Sequence, residues 1–317
     1  MKSGSNLEQL LARGEFVVTA ELGPPMGASL AVIEKKAEFL RGQVDAVNVT
    51  DNQTAVVRMS SVSVAAYVVK LGLEPIMQMT CRDRNRIAIQ SDLLGAAAWG
   101  IRNCLCLAGD HQSFSRAGKL LGHPGSKNVY DLDSLHLVMT LKTMRDENRF
   151  IGGDPLEEGM PCRMFIGVAW TPLAEPISFR PLRLAKKAQA GADFVQTQGV
   201  FDVAAFAEQM KKVRNRGTHE QVAILAGIIV PKTAGMLKYM NKSVAGVTVP
   251  ESMIKRFEGK KGPEATAEGI KVTAELIQQV REIEGVRGVH LMAIEWEHKI
   301  PEIVQAAGLL PRPKVEA

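Results

Sequence analysis

Eight short runs rich in β-branched and other apolar residues alternate along this chain with longer amphipathic stretches, and few folds accept that pattern. The runs are Phe16–Glu21, Val44–Val49, Glu74–Met79, Ile101–Leu107, Met164–Ala169, Phe194–Thr197, Val222–Val230 and Val289–Ile294. Runs such as Val222-Ala-Ile-Leu-Ala-Gly-Ile-Ile-Val230 are apolar almost throughout. That is the signature of parallel strands covered on both faces rather than half-exposed antiparallel ones. The stretches between them read as helices: Leu30–Leu40 behind Ser29, Val62–Leu71 before Gly72, Arg84–Trp99 before Gly100, Leu132–Asn148, Leu182–Ala190, Val203–Arg214 and Ala234–Met240. Thr266–Glu284 is an additional helix, and Ile300–Ala307 closes the series before Gly308. Eight βα units predict an α/β fold, a (β/α)8 TIM barrel, with residues 1–317 as a single domain. A doubly wound sheet would open on a Gly-x-Gly-x-x-Gly turn, and Gly23-Pro-Pro-Met-Gly27 is not one.

Composition narrows the function classes. A net charge of +5 and a hydrophobic content of 46% describe a mildly basic chain able to bury a core. The charge suits anionic ligands such as phosphates or polyglutamates. No Lys/Arg block with interleaved aromatics is present, so nucleic acid is not an expected partner. No apolar stretch reaches the roughly 18 residues of a membrane span, and the N-terminus has no signal-peptide pattern. A cytoplasmic protein is expected. Four cysteines, Cys81, Cys104, Cys106 and Cys162, form no Cys-x-x-Cys pair and have no clustered histidines, so no metal site is expected. Cys104 and Cys106 share one face of a strand and read as small buried core residues.

Barrel chemistry sits at the C-terminal ends of strands. Here those ends are polar: Thr19-Ala-Glu21, Asn48-Val-Thr50-Asp51-Asn52-Gln53, Gln78-Met-Thr80-Cys-Arg82-Asp83, Ala108-Gly109-Asp110-His111-Gln112, Gln196-Thr197-Gln198 and Glu295-Trp296-Glu297. Glu21 stands at a strand tip before Gly-Pro-Pro, and a carboxyl held against apolar walls is a proton donor near neutral pH. Position alone is equally compatible with a solvated strand-end glutamate. Asp110 follows Gly109, which permits close approach to a ligand, or it caps the next element. Gln198 offers an amide to a heterocycle edge, or closes a turn. His111 and His123 read as exposed loop residues, and Lys186 and Lys187 as a solvated helix face. Two loops, Asp110–Tyr130 and Ile151–Arg163, are long enough to be functional.

These segments carry a family resemblance. Phe16-Val-Val-Thr-Ala-Glu21-Leu-Gly-Pro-Pro25, Val49-Thr50, Met79-Thr80-Cys81-Arg82-Asp83, Leu107-Ala108-Gly109-Asp110 and Gly191-Ala-Asp-Phe-Val-Gln-Thr-Gln198-Gly-Val-Phe201-Asp202 resemble the single-domain catalytic barrel of the methylenetetrahydrofolate reductase family, over roughly residues 10 to 310. Val289-His290-Leu-Met-Ala-Ile-Glu295-Trp296-Glu297 and Asn128-Val-Tyr-Asp-Leu-Asp133 are most similar to its acetogen and anaerobe type.

The resemblance implies flavin-dependent reduction of 5,10-methylenetetrahydrofolate to 5-methyltetrahydrofolate, in one-carbon metabolism serving methionine biosynthesis or a Wood-Ljungdahl pathway. It implies Glu21 as general acid, Asp110 beside both flavin and pterin, and Gln198 on the folate. It places Thr50, Gln78, Thr80, Ala108, Gly109, Asp110, Tyr130, Asp133, Trp170 and Lys187 around the flavin, so that Lys187 meets flavin phosphate instead of solvent. FAD is the implied cofactor, with FMN open, and NADH or NADPH the implied donor. The acetogen-type likeness also implies a small electron-transfer partner subunit in a homo- or hetero-oligomer. Several positions depart from the family pattern. Ala108 replaces an Arg, Gln78 a His, Arg180 an acidic residue and Gly235 a Phe, and Trp170-Thr-Pro-Leu-Ala-Glu175 replaces a Tyr-Pro-Glu-x-His segment. These departures leave the form of flavin and direct use of NADH or NADPH open. Two further readings are a pterin-binding methyltransferase barrel, which needs no flavin, and a folate-binding subunit active only with an electron-delivering partner.

Overall fold

The structure, a computed structural model, describes residues 1–116 and 119–315. In chain order the strands are β1 (Val17–Leu22), β2 (Ala46–Val49), β3 (Pro75–Thr80), β4 (Asn103–Leu107), β5 (Ser113–Arg116), β6 (Lys119–Gly122), β7 (Phe165–Trp170), β8 (Phe194–Gly199), β9 (Ala223–Ile229) and β10 (Val286–Met292). The helices are α1 (Asn6–Ala12), α2 (Leu30–Leu40), α3 (Ser61–Lys70), α4 (Arg86–Ala98), α5 (Ser134–Asp146) and α6 (Arg180–Ala190). They continue with α7 (Val203–Arg214), α8 (Thr218–Gln221), α9 (Ala234–Ser243), α10 (Glu251–Arg256), α11 (Gly262–Arg281) and α12 (Ile300–Ala306). Eight parallel strands close in the order β1-β10-β9-β8-β7-β4-β3-β2, the expected (β/α)8 barrel. β1 seals the ring, pairing Val17 with Gly288 of β10 and Thr19 with Ala46 of β2.

The near-continuous apolar strands are explained by two cores. Val18, Ala20, Val47, Met77, Met79, Cys104, Cys106, Val168 and Val195 face outward into the layer under the helices. Val17, Ala46, Ile76, Leu105, Phe165, Phe194 and Leu225 face inward and fill the barrel floor. The rings of Phe165 and Phe194 stack with centroids 5.3 Å apart. Gly167 makes room for them, since a Cβ there would lie 2.3 Å from the Phe194 ring. Leu7, Leu10 and Leu11 of α1 plug this floor from below. Ser5 caps α1 by accepting from Glu8 N–H, and Glu8 in turn accepts from the Ser3 and Gly4 amides, both at 2.8 Å. Acidic residues at three strand starts tie the chain ends to the floor. Asp45 accepts from Val18 N–H at 2.7 Å and from Arg312 at 2.6 Å, and Glu74 accepts from Leu7 N–H at 2.8 Å. Asp193 accepts from Ile166 N–H at 2.8 Å, from Arg145 at 2.6 Å and from Lys2.

Four sequence expectations shift. The last strand is Val286–Met292 rather than 289–294, because Ile294 (φ 41°) and Glu295 (φ 61°) turn left-handed and end the ladder. The floor helix α1 escaped notice because it is only seven residues long. The Asp110–Tyr130 loop contains the antiparallel β5–β6 hairpin, and its Ala117 and Gly118 lie outside the described residues. The Ile151–Arg163 loop precedes β7, so it opens at the floor, opposite the strand ends. There it packs against α4, with Ile151 N–H donating to Gln90 and the Cys162 thiol to Leu93 O.

Candidate active site

Side chains alternate along a strand, so every second residue of β1, β2, β8 and β10 points into the barrel. Above the apolar floor this alternation brings a polar layer together. Asn48 Nδ2 donates to Gln196 Oε1 at 2.6 Å, and Gln196 Nε2 donates back to Asn48 Oδ1 at 3.0 Å and to Thr19 Oγ1 at 3.1 Å. The Thr19 hydroxyl and His290 Nδ1 lie 3.0 Å apart, and His290 Nε2 faces Glu21 Oε1 at 3.9 Å. Glu21 thus stands at the top of a buried polar chain, its side chain 14% exposed and open to the barrel mouth. Thr19, Asn48, Gln196 and His290 were not singled out from sequence. The available signal was that Thr19, Asn48 and Gln196 each lie two residues before an expected site residue (Glu21, Thr50, Gln198), hence on the same strand face.

The ends of β2, β3 and β4 form a second group. Asp51 accepts from Thr80 N–H and Oγ1, both at 2.9 Å, and from Arg84 at 2.6 and 3.2 Å. The Arg82 guanidinium is buried. It pairs with Asp83 at 2.7 Å and donates to the carbonyls of Asn52 and Asp110, each at 3.1 Å. One cation thereby joins three strand-end loops. Asp110 accepts from Thr54 N–H at 3.2 Å, and the Tyr130 hydroxyl donates to the carbonyls of Gly109 and Asp110, each at 3.2 Å. Gly109 (φ +88°) lets this loop lie flat, since a Cβ there would be 3.1 Å from both Thr80 and Arg82. Ala108 is exposed beside it.

The same arc continues to β7. Lys187 Nζ donates to Ala169 O at 2.5 Å, and burial, reinforced by Arg183, pushes its pKa down to about 8. It is therefore not the solvated lysine that its helix position suggests, whereas Lys186 beside it is exposed. Asp133 caps α5 by accepting from His136 N–H at 2.8 Å. Trp170 is placed differently from the others. Its ring is buried in the outer core near Phe206, and its Nε1 donates to Arg180 O at 3.0 Å, so its side chain does not enter the mouth. Gln198 Oε1 accepts from Gly199 N–H at 2.9 Å.

The mouth therefore has two arcs. Thr50, Gln78, Thr80, Gly109, Asp110, Tyr130, Asp133 and Lys187 lie along β2–β3–β4–β7. Glu21 and Gln198 bound the other arc, β1–β10–β9–β8. On the first arc Thr50 Oγ1 is buried with no hydrogen-bond partner, and among the described residues Lys187 has no carboxylate within ion-pair distance. An unsatisfied hydroxyl and an unpaired cation suit a polar, phosphate-bearing cofactor such as a flavin nucleotide. Among the described residues no group of three or more His, Cys, Asp or Glu side chains is placed to hold a metal ion. The four cysteines are free and buried, and burial pushes the thiols of Cys81 and Cys162 up to about 12.

The methylenetetrahydrofolate reductase family profile matches residues 6–308. Methylenetetrahydrofolate reductase 2 of Schizosaccharomyces pombe is 25% identical over 264 residues, covering 80% of this chain and 39% of that protein. A Caenorhabditis elegans protein named as a probable methylenetetrahydrofolate reductase (NADPH) is 25% identical over 257 residues, covering 79% of this chain and 35% of its own length. The chain thus spans little more than a third of each. An uncharacterized Clostridium thermocellum protein that binds two copies of 5-methyl-5,6,7,8-tetrahydrofolic acid superposes with a TM-score of 0.62 at 12% identity, covering 97% of this chain and 99% of that one. At that identity the likeness establishes the barrel and not the ligand.

Proposed function

This chain belongs to the methylenetetrahydrofolate reductase family, and we propose that it reduces 5,10-methylenetetrahydrofolate to 5-methyltetrahydrofolate with a bound flavin. The observation that carries the reading is Glu21, a carboxyl at a strand tip with its oxygen 3.9 Å from His290 and its open side toward the mouth.

The flavin, FAD or FMN, supplies hydride when bound and reduced. Thr50, Gln78, Thr80, Asp110 and Tyr130, with the backbone of Ala108 and Gly109, would hold its ring system, and Lys187 would neutralise its phosphate. Asp133 lies near that lysine, and Trp170 supports the strand end from the core side. Gln198 anchors the pterin edge from β8. Glu21 delivers a proton to the bridging nitrogen of the substrate, which opens the five-membered ring to an iminium whose carbon then accepts hydride. Asp110, as carboxylate, favours that cation. Thr19 orients the His290 ring, whose Nε2 lies 3.9 Å from the Glu21 carboxyl.

Reducing equivalents enter from NADH, NADPH or a small electron-transfer subunit assembled with the barrel. Among the described residues no helix is long and apolar enough to cross a membrane.

The visible spectrum tests the reading without knowledge of the donor. The purified protein should show flavin bands that bleach when 5-methyltetrahydrofolate is added to the oxidised form. The bands should return when methylenetetrahydrofolate is added to the dye-reduced form. A colourless protein that takes up neither FAD nor FMN would sink the proposal and favour a methyltransferase barrel. Glu21→Gln should keep the flavin bands while the folate-driven return slows by about a hundredfold or more, and near-normal return would remove Glu21 as the acid.

A further inference from the structure

The polar side chains beneath Glu21 leave little freedom in where their hydrogens lie. Thr19, Asn48, Gln196 and His290 are all buried, and no buried nitrogen or oxygen among them lacks a partner. Gln196 Nε2 has two hydrogens, and both are committed, one to Asn48 Oδ1 and one to Thr19 Oγ1. Thr19 Oγ1 is thus an acceptor for Gln196 and has one hydrogen of its own to give. Two acceptors are within reach of it, His290 Nδ1 at 3.0 Å and Val289 O at 3.4 Å. The nearer takes it. An imidazole that accepts at Nδ1 carries its hydrogen on Nε2, and Nε2 is the nitrogen that faces Glu21 Oε1.

Backbone pairing fixes this arrangement. Thr19 and His290 are direct partners in the β1–β10 ladder, and Glu21 lies two residues past Thr19 on the same strand face. Glu21 has no competing cation. Among the described residues no lysine or arginine lies within ion-pair distance of it, and no group donates a hydrogen bond to its carboxyl. The 3.9 Å to His290 Nε2 is too long for a hydrogen bond as it stands.

We propose that His290 is a positioning residue for the proton transfer, its Nε2–H drawing in the Glu21 carboxylate as the proton leaves for the bridging nitrogen of the folate. The O–H bond of Glu21 breaks, the N–H bond on the folate forms, and His290 keeps its own hydrogen throughout. The contact tightens only as negative charge builds on Glu21, so it favours the transition state over the bound substrate. This rests on the function proposed above and adds the group that meets the charge left on Glu21.

The test is the return of the flavin bands when methylenetetrahydrofolate is mixed with the dye-reduced protein, read as a limiting rate and a half-saturating concentration. His290→Asn keeps an amide at the Nδ1 position for Thr19 and removes the donor that faces Glu21. It should lower the limiting rate about tenfold and move the half-saturating concentration by less than about twofold. His290→Gln carries its amide nitrogen to the Nε2 position and should recover most of the rate. If the His290 variants lose flavin, Thr19 gives the same answer. Thr19→Val removes the hydroxyl that fixes the ring and should slow the return, whereas Thr19→Ser should recover most of it. An Asn variant as fast as the wild type, Asn and Gln variants equally slow, or equal rates in the two Thr19 variants would overturn the role of His290 while leaving the reductase reading standing. A wild-type protein whose flavin bands never return with the folate overturns both.

Discussion

Thr50 shows how a single residue separates a structural role from a binding one. Its hydroxyl is buried and unpartnered, a state that costs roughly 1–3 kcal/mol without a ligand. Thr50→Val should therefore stabilise the flavin-free protein by about 1 kcal/mol in denaturant unfolding and weaken flavin binding. Stabilisation with unchanged flavin affinity would make the hydroxyl a tolerated defect instead. Lys187 makes the same argument through pH. Its folded-state pKa of about 8 lies below the ordinary 10.5, so folding disfavours its charged form. The penalty is complete below about pH 8 and fades as the pH rises toward 10.5. Lys187→Met should thus stabilise the flavin-free protein at neutral pH, by on the order of 3 kcal/mol, and the gain should shrink at pH 9–10. Flavin affinity of the wild type should fall above about pH 8, where the ammonium is lost, and a flat affinity profile would place the phosphate elsewhere. The expectation of a solvated lysine failed because helix position says nothing about which neighbours cover a side chain.

At the scale of elements, the β4 end depends on backbone shape. Gly109→Ala would place a methyl 3.1 Å from Thr80 and Arg82 at φ +88°. The cost should be about 1–3 kcal/mol in thermal unfolding, with the Asp110 loop displaced and flavin binding weakened. Unchanged flavin affinity would show that the loop position is not part of the cradle. Boundary differences have a similar local origin. Val289-His-Leu-Met-Ala-Ile294 reads as one continuous strand because residues 293 and 294 are apolar, yet its exit is set by the left-handed pair Ile294–Glu295. Nothing in the composition of that stretch announces the turn, whereas Gly72 and Gly100, both left-handed after helices, were legible as stops.

The whole molecule separates stability from chemistry along the barrel axis. The floor is apolar, plugged by α1 and latched by Asp45, Glu74 and Asp193, while the mouth carries the polar groups. Leu10→Ala, at a fully buried plug position, should cost about 2–4 kcal/mol in unfolding free energy and leave the flavin spectrum and the folate half-reaction intact. Loss of folate turnover at a temperature where the variant remains folded would show that floor and mouth are coupled.

What the sequence determined by itself was local. Strand periodicity, run length and helix stops specified the eight-unit barrel, and the polar strand ends placed Glu21, Thr50, Gln78, Thr80 and Gln198 on its rim. The tertiary structure decided what each of those residues touches. Thr19 meets His290 across 271 positions of chain, Asn48 meets Gln196 across 148, and Lys2 reaches Asp193 across 191. Contacts of that separation arise only from barrel closure, since β1 and β10 become neighbours when the ring shuts. Trp170 stands in the outer core because alternation along β7 puts its indole on the helix-facing side.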